Sequence, residues 1–132
     1  MKNSEIISKY QDSIKEEMMK RYRYVLESYG MIQYKIYIWE DGEIECLEEV
    51  QGSNSYLKAK NMEPRTLVYV CKIDSPCFDP WDYSDHTAPD DLNEKEAEEK
   101  EIIDYMVDEY KQNISDVFDS IIEEAEQDEA FA

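Results

Sequence analysis

Hydrophobic positions recur at helical spacing in the N-terminal part of the chain. Between Ser4 and Tyr29 they lie three or four residues apart, and the opposite face mixes acidic with basic side chains. These apolar positions are Ile7, Tyr10, Ile14, Met18, Tyr22, Val25 and Tyr29. Ser4 is a favourable N-cap residue and Gly30 a favourable stop. The pattern therefore predicts a helix from Ser4 to Tyr29.

The spacing then changes to two, which is typical of strands. Asp41-Gly42 separates two alternating runs, 31–39 and 43–50, and this arrangement predicts an antiparallel hairpin. A third run, 66–73, predicts another strand. Because this run is apolar on both faces, we expect the third strand to be central or well covered.

Helical spacing returns after Asn93 and continues to about Glu126. Its apolar stripe consists of Ile103, Met106, Val107, Tyr110, Ile114, Val117, Phe118, Ile121 and Ala125. Since the phase of the stripe is unbroken, we expect one long helix over 94–126, followed by a frayed tail at 127–132. A break at Asn113 or Ser115 is the alternative.

Together these elements predict one α+β domain over residues 1–132. A small three-stranded antiparallel sheet would pack against the N-terminal helix and the long acidic C-terminal helix. Residues 74–93 form an acidic and aromatic loop, because three prolines exclude a continuous helix there. Eleven tyrosines argue against disorder, and no apolar run reaches the roughly 18 residues of a membrane span.

Charge divides the chain into two unequal parts. Residues 1–73 carry 12 acidic and 11 basic side chains, whereas residues 74–132 carry 21 acidic side chains and three lysines. Nearly all of the net charge of −19 therefore lies in the second part. A polyanionic segment favours a positively charged partner and disfavours direct binding to nucleic acid or to an anionic membrane.

Within the predicted C-terminal helix, the carboxylates project opposite the apolar stripe. This face consists of Glu94, Glu98, Glu101, Asp108, Glu109, Asp116, Asp119, Glu123 and Glu126. A single helix would make the face about 50 Å long, with a line charge approaching that of one phosphate backbone. A basic groove built for nucleic acid could then accept it. The alternative is a solvated face that keeps the protein soluble.

The predicted loop interleaves aromatic and acidic residues. Phe78, Trp81 and Tyr83 alternate with Asp79, Asp82 and Asp85. Aromatic anchors beside carboxylates suit an interface with an arginine-rich partner, so we predict that these six residues bind the partner. In the alternative interpretation, Phe78 and Trp81 fold back and cover the sheet.

The three cysteines and the single histidine predict either a metal site or ordinary packing. Cys46 and Cys71 lie on strands predicted to be neighbours, and Cys77 and His86 lie in the loop beyond them. Three thiolates and one imidazole could complete a structural zinc site. Alternatively, the strand cysteines are small buried hydrophobes and the loop pair is incidental. No other cofactor is expected.

An odd number of cysteines does not suggest a disulfide framework, and the N-terminus lacks the apolar stretch of a secretory signal. A reducing cytoplasm is therefore the expected location. Catalysis has little support, because one histidine and three glycines supply neither a nucleophile elbow nor a phosphate loop. We expect a protein that is not an enzyme.

In length, acidity, α+β layout and its acidic helix from Glu94 to Glu126, the chain resembles small acidic inhibitors encoded by phages against host nucleases. These include DNA-mimic anti-restriction and anti-CRISPR proteins. The resemblance is one of composition and layout, and it implies host-defence evasion in the host cytoplasm by binding the basic nucleic-acid channel of a nuclease effector. The alternative is a toxin-immunity or adaptor protein that binds a basic partner by shape, with zinc as a stabilising ion.

Overall fold

Three strands and five helices make up the part of the chain that the computed structural model describes, residues 2–50, 66–73, 79–83 and 87–131. The elements are α1 (Asn3–Lys9), α2 (Gln11–Glu27), β1 (Ile32–Trp39), β2 (Ile44–Val50), β3 (Leu67–Ile73), α3 (Pro80–Tyr83), α4 (Leu92–Gln112) and α5 (Ile114–Phe131). The predicted α+β class, with a three-stranded antiparallel sheet and helices from both ends of the chain, is confirmed. Across these ranges, no helix is both long enough and apolar enough to cross a membrane.

The sheet has the order β2-β1-β3, and both pairings are antiparallel. The predicted hairpin is therefore confirmed, but the expectation that the third strand is central is wrong. β1 is central, and β3 lies at an edge with buried Val68, Val70 and Ile73 and exposed Tyr69 and Lys72. The apolar run misled the prediction because it joins residues of two kinds: Tyr69 is 50% exposed, whereas Cys71 lies opposite the buried Ile36 and packs against the core.

The hairpin turn depends on Gly42, whose φ of +93° is unfavourable for any residue with a side chain. The Gly42 N–H donates to the carbonyl of Trp39 over 2.8 Å. A Cβ atom at Gly42 would lie 2.3 Å from Cζ of Tyr10. The close approach of Tyr10 therefore joins the turn to the first two helices.

The predicted N-terminal helix is two helices, α1 and α2, with Tyr10 between them at φ −105° and ψ 22°. The backbone hydrogen bonds from Tyr10 N to Ile6 O and from Ile14 N to Tyr10 O span the break. The predicted stop is confirmed, since Gly30 has a φ of +74°. Ser4 is not the N-cap, because it lies inside α1.

The predicted single helix over 94–126 is wrong, and the alternative break at Asn113 is confirmed. Asn113 donates from its side-chain Nδ2 to the Glu109 carbonyl over 2.9 Å, in addition to its backbone bond to the same oxygen. Such local side-chain bonding competes with regular helix geometry. The residues predicted to form a frayed tail are helical as far as Phe131, where α5 ends.

An antiparallel helical layer is formed by α1, α2, α4 and α5. Within it, α4 and α5 run back along α2 and α1. Five contacts show this, since the residue number falls along one partner as it rises along the other. They are Tyr29 with Glu99, Arg23 with Asp104, Tyr22 with Tyr110, Lys15 with Phe118, and Ser4 with Glu129. At the centre, the rings of Tyr22 and Tyr110 stack with centroids 3.9 Å apart.

One hydrophobic core joins this layer to the sheet. α2 packs on the sheet, and the apolar stripe of α4 and α5 packs along α2 and α1. The predicted stripe is confirmed: every member is buried or packs against the core. The buried members from α4 and α5 are Ile103, Met106, Val107, Ile114 and Phe118.

The contribution of α5 to this core is testable at Phe118, whose side chain is only 2% exposed. We expect Phe118→Ala to lower the free energy of unfolding by about 3–5 kcal/mol, because it leaves a cavity between helices. Urea unfolding followed by circular dichroism measures the change. Leu92→Ala, at a side chain that is 75% exposed, is the control and should cost less than about 0.5 kcal/mol. Equal effects of the two changes would contradict the packing.

Candidate functional site

Nine carboxylates on α4 and α5 form what we call the acidic surface. All nine side chains are exposed: Glu94, Glu98, Glu101, Asp108, Glu109, Asp116, Asp119, Glu123 and Glu126. α4 and α5 together hold 15 acidic residues and three lysines. At 1.5 Å rise per residue, α4 is about 32 Å long and α5 about 27 Å. The surface is therefore carried by two helices that meet at Asn113, not by one rod.

Few positive charges neutralise this surface from within the protein. Among the described residues, the ion pair between Arg23 and Asp104 is the one that reaches a carboxylate of α4 or α5. The other pairs lie elsewhere, such as Lys35 with Glu49 on the sheet at 3.2 Å. The acidic surface therefore exposes its negative charge to solvent.

Three carboxylates of α4 and α5 hold other elements in place. Glu99 accepts hydrogen bonds from the Tyr29 hydroxyl and from Trp81 Nε1, the latter over 3.4 Å. The bond to Glu99, aided by burial, raises the pKa of Tyr29 to about 12. Glu109 accepts from the hydroxyl of Tyr83.

Glu129 is the third of these carboxylates, and it caps α1 from the far end of the chain. Its Oε1 accepts from the Ser4 N–H over 2.8 Å, and its Oε2 accepts from the Ser4 hydroxyl over 2.9 Å. These hydrogen bonds lower the pKa of Glu129, because they favour the charged carboxylate. α1 has no side-chain cap at Lys2, so Glu129 supplies what the local sequence lacks.

A cavity of about 550 Å³, which we call the aromatic groove, adjoins the acidic surface. It is lined by Trp81, Tyr83, Thr87, Pro89, Glu98, Glu101, Ile102 and Tyr105. Two of its carboxylates therefore belong to the acidic surface as well. Cavities of this size are typical of sites that hold a small ligand or a peptide side chain.

Local capping positions the two walls of the groove. Asp79 Oδ1 accepts from the Trp81 N–H over 3.0 Å, which starts α3 at the buried Pro80. Asp91 accepts from the backbone N–H groups of Asn93 and Glu94 at 2.9 and 3.0 Å, which starts α4. Both caps satisfy donors that a helix leaves unpaired at its first turn. The groove is thus built on two fixed helix starts.

The structure brings together only part of the predicted partner-binding loop. Trp81 and Tyr83 line the groove, and Asp82 is exposed. The carboxylate of Asp79, by contrast, is used to cap α3. The alternative that Trp81 covers the sheet is not what the structure shows, since its indole N–H bonds to Glu99 of α4. Phe78 and Asp85 lie outside the described residues.

Sequence reasoning missed the α4 wall of the groove. Ile102 and Tyr105 were overlooked, although Glu98, Glu101, Ile102 and Tyr105 follow the spacing of a single helix face. Tyr105 is 63% exposed, and its ring lies 6.1 Å from that of Tyr83. The signal in the sequence that could have revealed this wall was Tyr105, an aromatic residue among the carboxylates of the predicted helix.

The predicted zinc ligands are only partly described. Cys46 and Cys71 are not on neighbouring strands, because each pairs with Ile36 from opposite sides of β1. Two strand spacings place their Cα atoms about 9.5 Å apart. Burial raises the pKa of the Cys46 thiol to about 11.

Cys77 and His86 lie outside the described residues. Within the described part, no group of three or more histidine, cysteine, aspartate or glutamate side chains is placed to hold a metal ion. The zinc site therefore stays a prediction, and the structure separates two of its four proposed ligands.

A second cavity, of about 700 Å³, lies between β3 and α5. Its floor is apolar and includes Ile7, Met18 and Val70, while Glu124 and Asp128 stand at its α5 wall. It shares no lining residue with the aromatic groove. The side of the protein that carries α5 is therefore also concave and acidic.

No protein-family model, no curated protein and no solved structure matches this chain.

The crowding of like charges on α4 and α5 makes a testable prediction about stability. Raising sodium chloride from about 0.01 M to about 1 M shortens the Debye length from about 30 Å to about 3 Å, which screens the repulsion. We expect the melting temperature to rise by about 3 °C or more over this range. Thermal unfolding followed by circular dichroism measures it.

The matched variant is D108N/D119N/E123Q/E126Q, named the carboxylate variant below. All four positions are exposed and lie outside the aromatic groove. We expect this variant to melt higher than the wild type at low salt and to respond less to added salt. A melting temperature that falls with salt in the wild type would contradict the electrostatic description.

Proposed function

We propose that the protein is a non-enzymatic inhibitor that binds the basic nucleic-acid-binding surface of a nuclease effector and blocks access of DNA or RNA. The observation that supports this most is the acidic surface itself: nine exposed carboxylates on two packed helices, with little internal neutralisation. This interpretation agrees with the resemblance to small acidic anti-CRISPR and anti-restriction inhibitors. It requires neither a catalytic residue nor a cofactor.

The spacing of the carboxylates supports a nucleic-acid-binding partner surface. Side chains three or four residues apart on a helix lie about 5–6 Å from each other, and one DNA strand carries a charge about every 3.4 Å. Lysine and arginine side chains pair with carboxylates much as they pair with phosphates. A basic channel that follows one backbone would therefore find a comparable row of anions along α4 and α5.

The packing of the helices strengthens the argument, because a folded surface binds with less loss of conformational entropy than a disordered acidic tail. The row of anions spans two helices that meet at Asn113. A net charge of −19 would repel nucleic acid and anionic membranes, so the partner is a protein. The place of action would be the cytoplasm that holds the nuclease.

The test uses a panel of purified RNA-guided and restriction nucleases, each bound to its nucleic acid, with the protein added as competitor. We expect at least one nuclease to release its DNA or RNA, and we expect the inhibition to weaken between about 50 and about 200 mM salt. The carboxylate variant should compete at least about fourfold less well, because it loses four pairs worth roughly 0.2–1 kcal/mol each. Gel-shift titration measures the change.

The matched control is D12N/E16Q/E40Q/E48Q, which removes the same four charges from exposed positions on α2 and at the hairpin. It should compete nearly as well as the wild type. Equal losses in the two variants would show that net charge alone acts, and inhibition that ignores both salt and the carboxylate variant would contradict the proposal.

A second candidate function is a toxin-immunity or adaptor protein that binds a basic partner by shape. The preformed aromatic groove favours it, since buried or half-buried aromatic residues dominate interface energies. In that case single changes at Trp81 or Tyr83 would reduce binding more than the carboxylate variant does. The same titration distinguishes the two functions.

A further inference from the structure

We propose that the aromatic groove receives one arginine side chain presented by the partner protein. This inference rests on the proposed function, because it names the residue type that the acidic surface guides into a particular place. It assigns specificity to the groove and electrostatic attraction to the rest of the surface.

The groove combines the two kinds of group that recognise a guanidinium ion. Trp81, Tyr83 and Tyr105 supply aromatic faces, and Glu98 and Glu101 supply carboxylates. Cations are attracted to aromatic faces within about 6 Å of the ring centroid. No ion pair within 4 Å is formed by Glu98 or Glu101 with any described residue. A cation that enters the groove therefore does not need to displace a lysine or arginine of the described residues from these two carboxylates.

The two walls are fixed before any ligand binds. The indole of Trp81 donates to Glu99, and the hydroxyl of Tyr83 donates to Glu109. Both acceptors belong to α4, and so do Glu98, Glu101 and Tyr105. Binding would therefore require little reorganisation of side chains, which favours affinity.

Geometry favours arginine over lysine. Glu98 and Glu101 are three residues apart on α4, so their side chains start about 5–6 Å from each other on one helix face. A planar guanidinium presents five N–H donors in a rigid fork and stacks on aromatic rings at the same time. An ammonium is a compact and strongly hydrated point charge, and it gains less from a wide aromatic wall. A volume of about 550 Å³ leaves space for the backbone beside the arginine.

The experiment titrates the full chain with the blocked peptide Gly-Arg-Gly, followed by the fluorescence of Trp81 and by ¹H–¹⁵N shifts of α4. Trp39, the other tryptophan, is only 2% exposed and should respond little. We expect the arginine peptide to bind at least fivefold more tightly than matched peptides with lysine or with citrulline, which has the same shape without the charge.

Variants localise the site. E98Q/E101Q should weaken binding of the arginine peptide at least tenfold. The control E96Q/E124Q removes the same charge from exposed positions of α4 and α5 that belong neither to the groove nor to the acidic surface, and it should change binding less than twofold. Tyr105→Leu should weaken binding several-fold, because it removes an aromatic face from an exposed position without opening the core. Unchanged circular dichroism confirms that each variant is folded.

Three results would overturn the inference: no saturable binding of the arginine peptide, equal losses in E98Q/E101Q and E96Q/E124Q, or tighter binding of a trimethyllysine peptide. The last would identify a methylammonium site instead. Nuclease inhibition without peptide binding would refute only the arginine site. Peptide binding without inhibition of any nuclease would refute only the proposed function.

Discussion

The apolar contact between two helical arms, α1–α2 and α4–α5, is the interaction on which the rest of the structure depends. It holds together a chain whose second part would otherwise repel itself. Each like-charged pair at helical spacing costs roughly 0.2–0.5 kcal/mol, whereas each large apolar side chain buried contributes roughly 1.5–3 kcal/mol. Ile103, Met106, Val107, Ile114 and Phe118 are all buried in this contact. Hydrophobic burial therefore outweighs local repulsion, and the carboxylates remain on the outer face.

Polar contacts fix the register of the two arms and anchor their ends. Arg23 meets Asp104 near the middle of α4, and Tyr29 meets Glu99 near its start. At the other end, Glu129 caps the first helix through Ser4. The acidic residues of the second part thus have two roles, since some hold the fold together and others are left for a partner.

The periodicity of the sequence was enough to predict the elements and their buried faces, because burial of a stripe follows directly from the 3.6-residue repeat. It did not reveal the break at Tyr10, and it gave the break at Asn113 only as an alternative to one long helix. At both positions the backbone hydrogen bonds continue from one helix to the next, so the apolar phase is preserved. Strand order also escaped prediction, because the exposed Tyr69 and the core-packed Cys71 continue the apolar run and made the edge strand β3 look central.

The candidate site was predictable where it depends on local pattern and unpredictable where it depends on tertiary contact. The exposed carboxylates of α4 and α5 follow from helix projection alone. The groove requires α3 to lie against α4, and that contact is made through Trp81 and Glu99, which are 18 residues apart. The same limitation applies to Cys46 and Cys71, whose separation by β1 is a property of the sheet order.

Apolar packing holds the strongly acidic part of the chain as a folded surface. Amide hydrogen exchange of α5 between Ile114 and Glu129 measures this packing, because a packed helix exchanges only through opening, whereas a repelled tail exchanges freely. We predict protection of these amides at both low and high salt, with the strongest protection near Phe118. Exchange at the rate of an unfolded peptide at low salt would contradict the account.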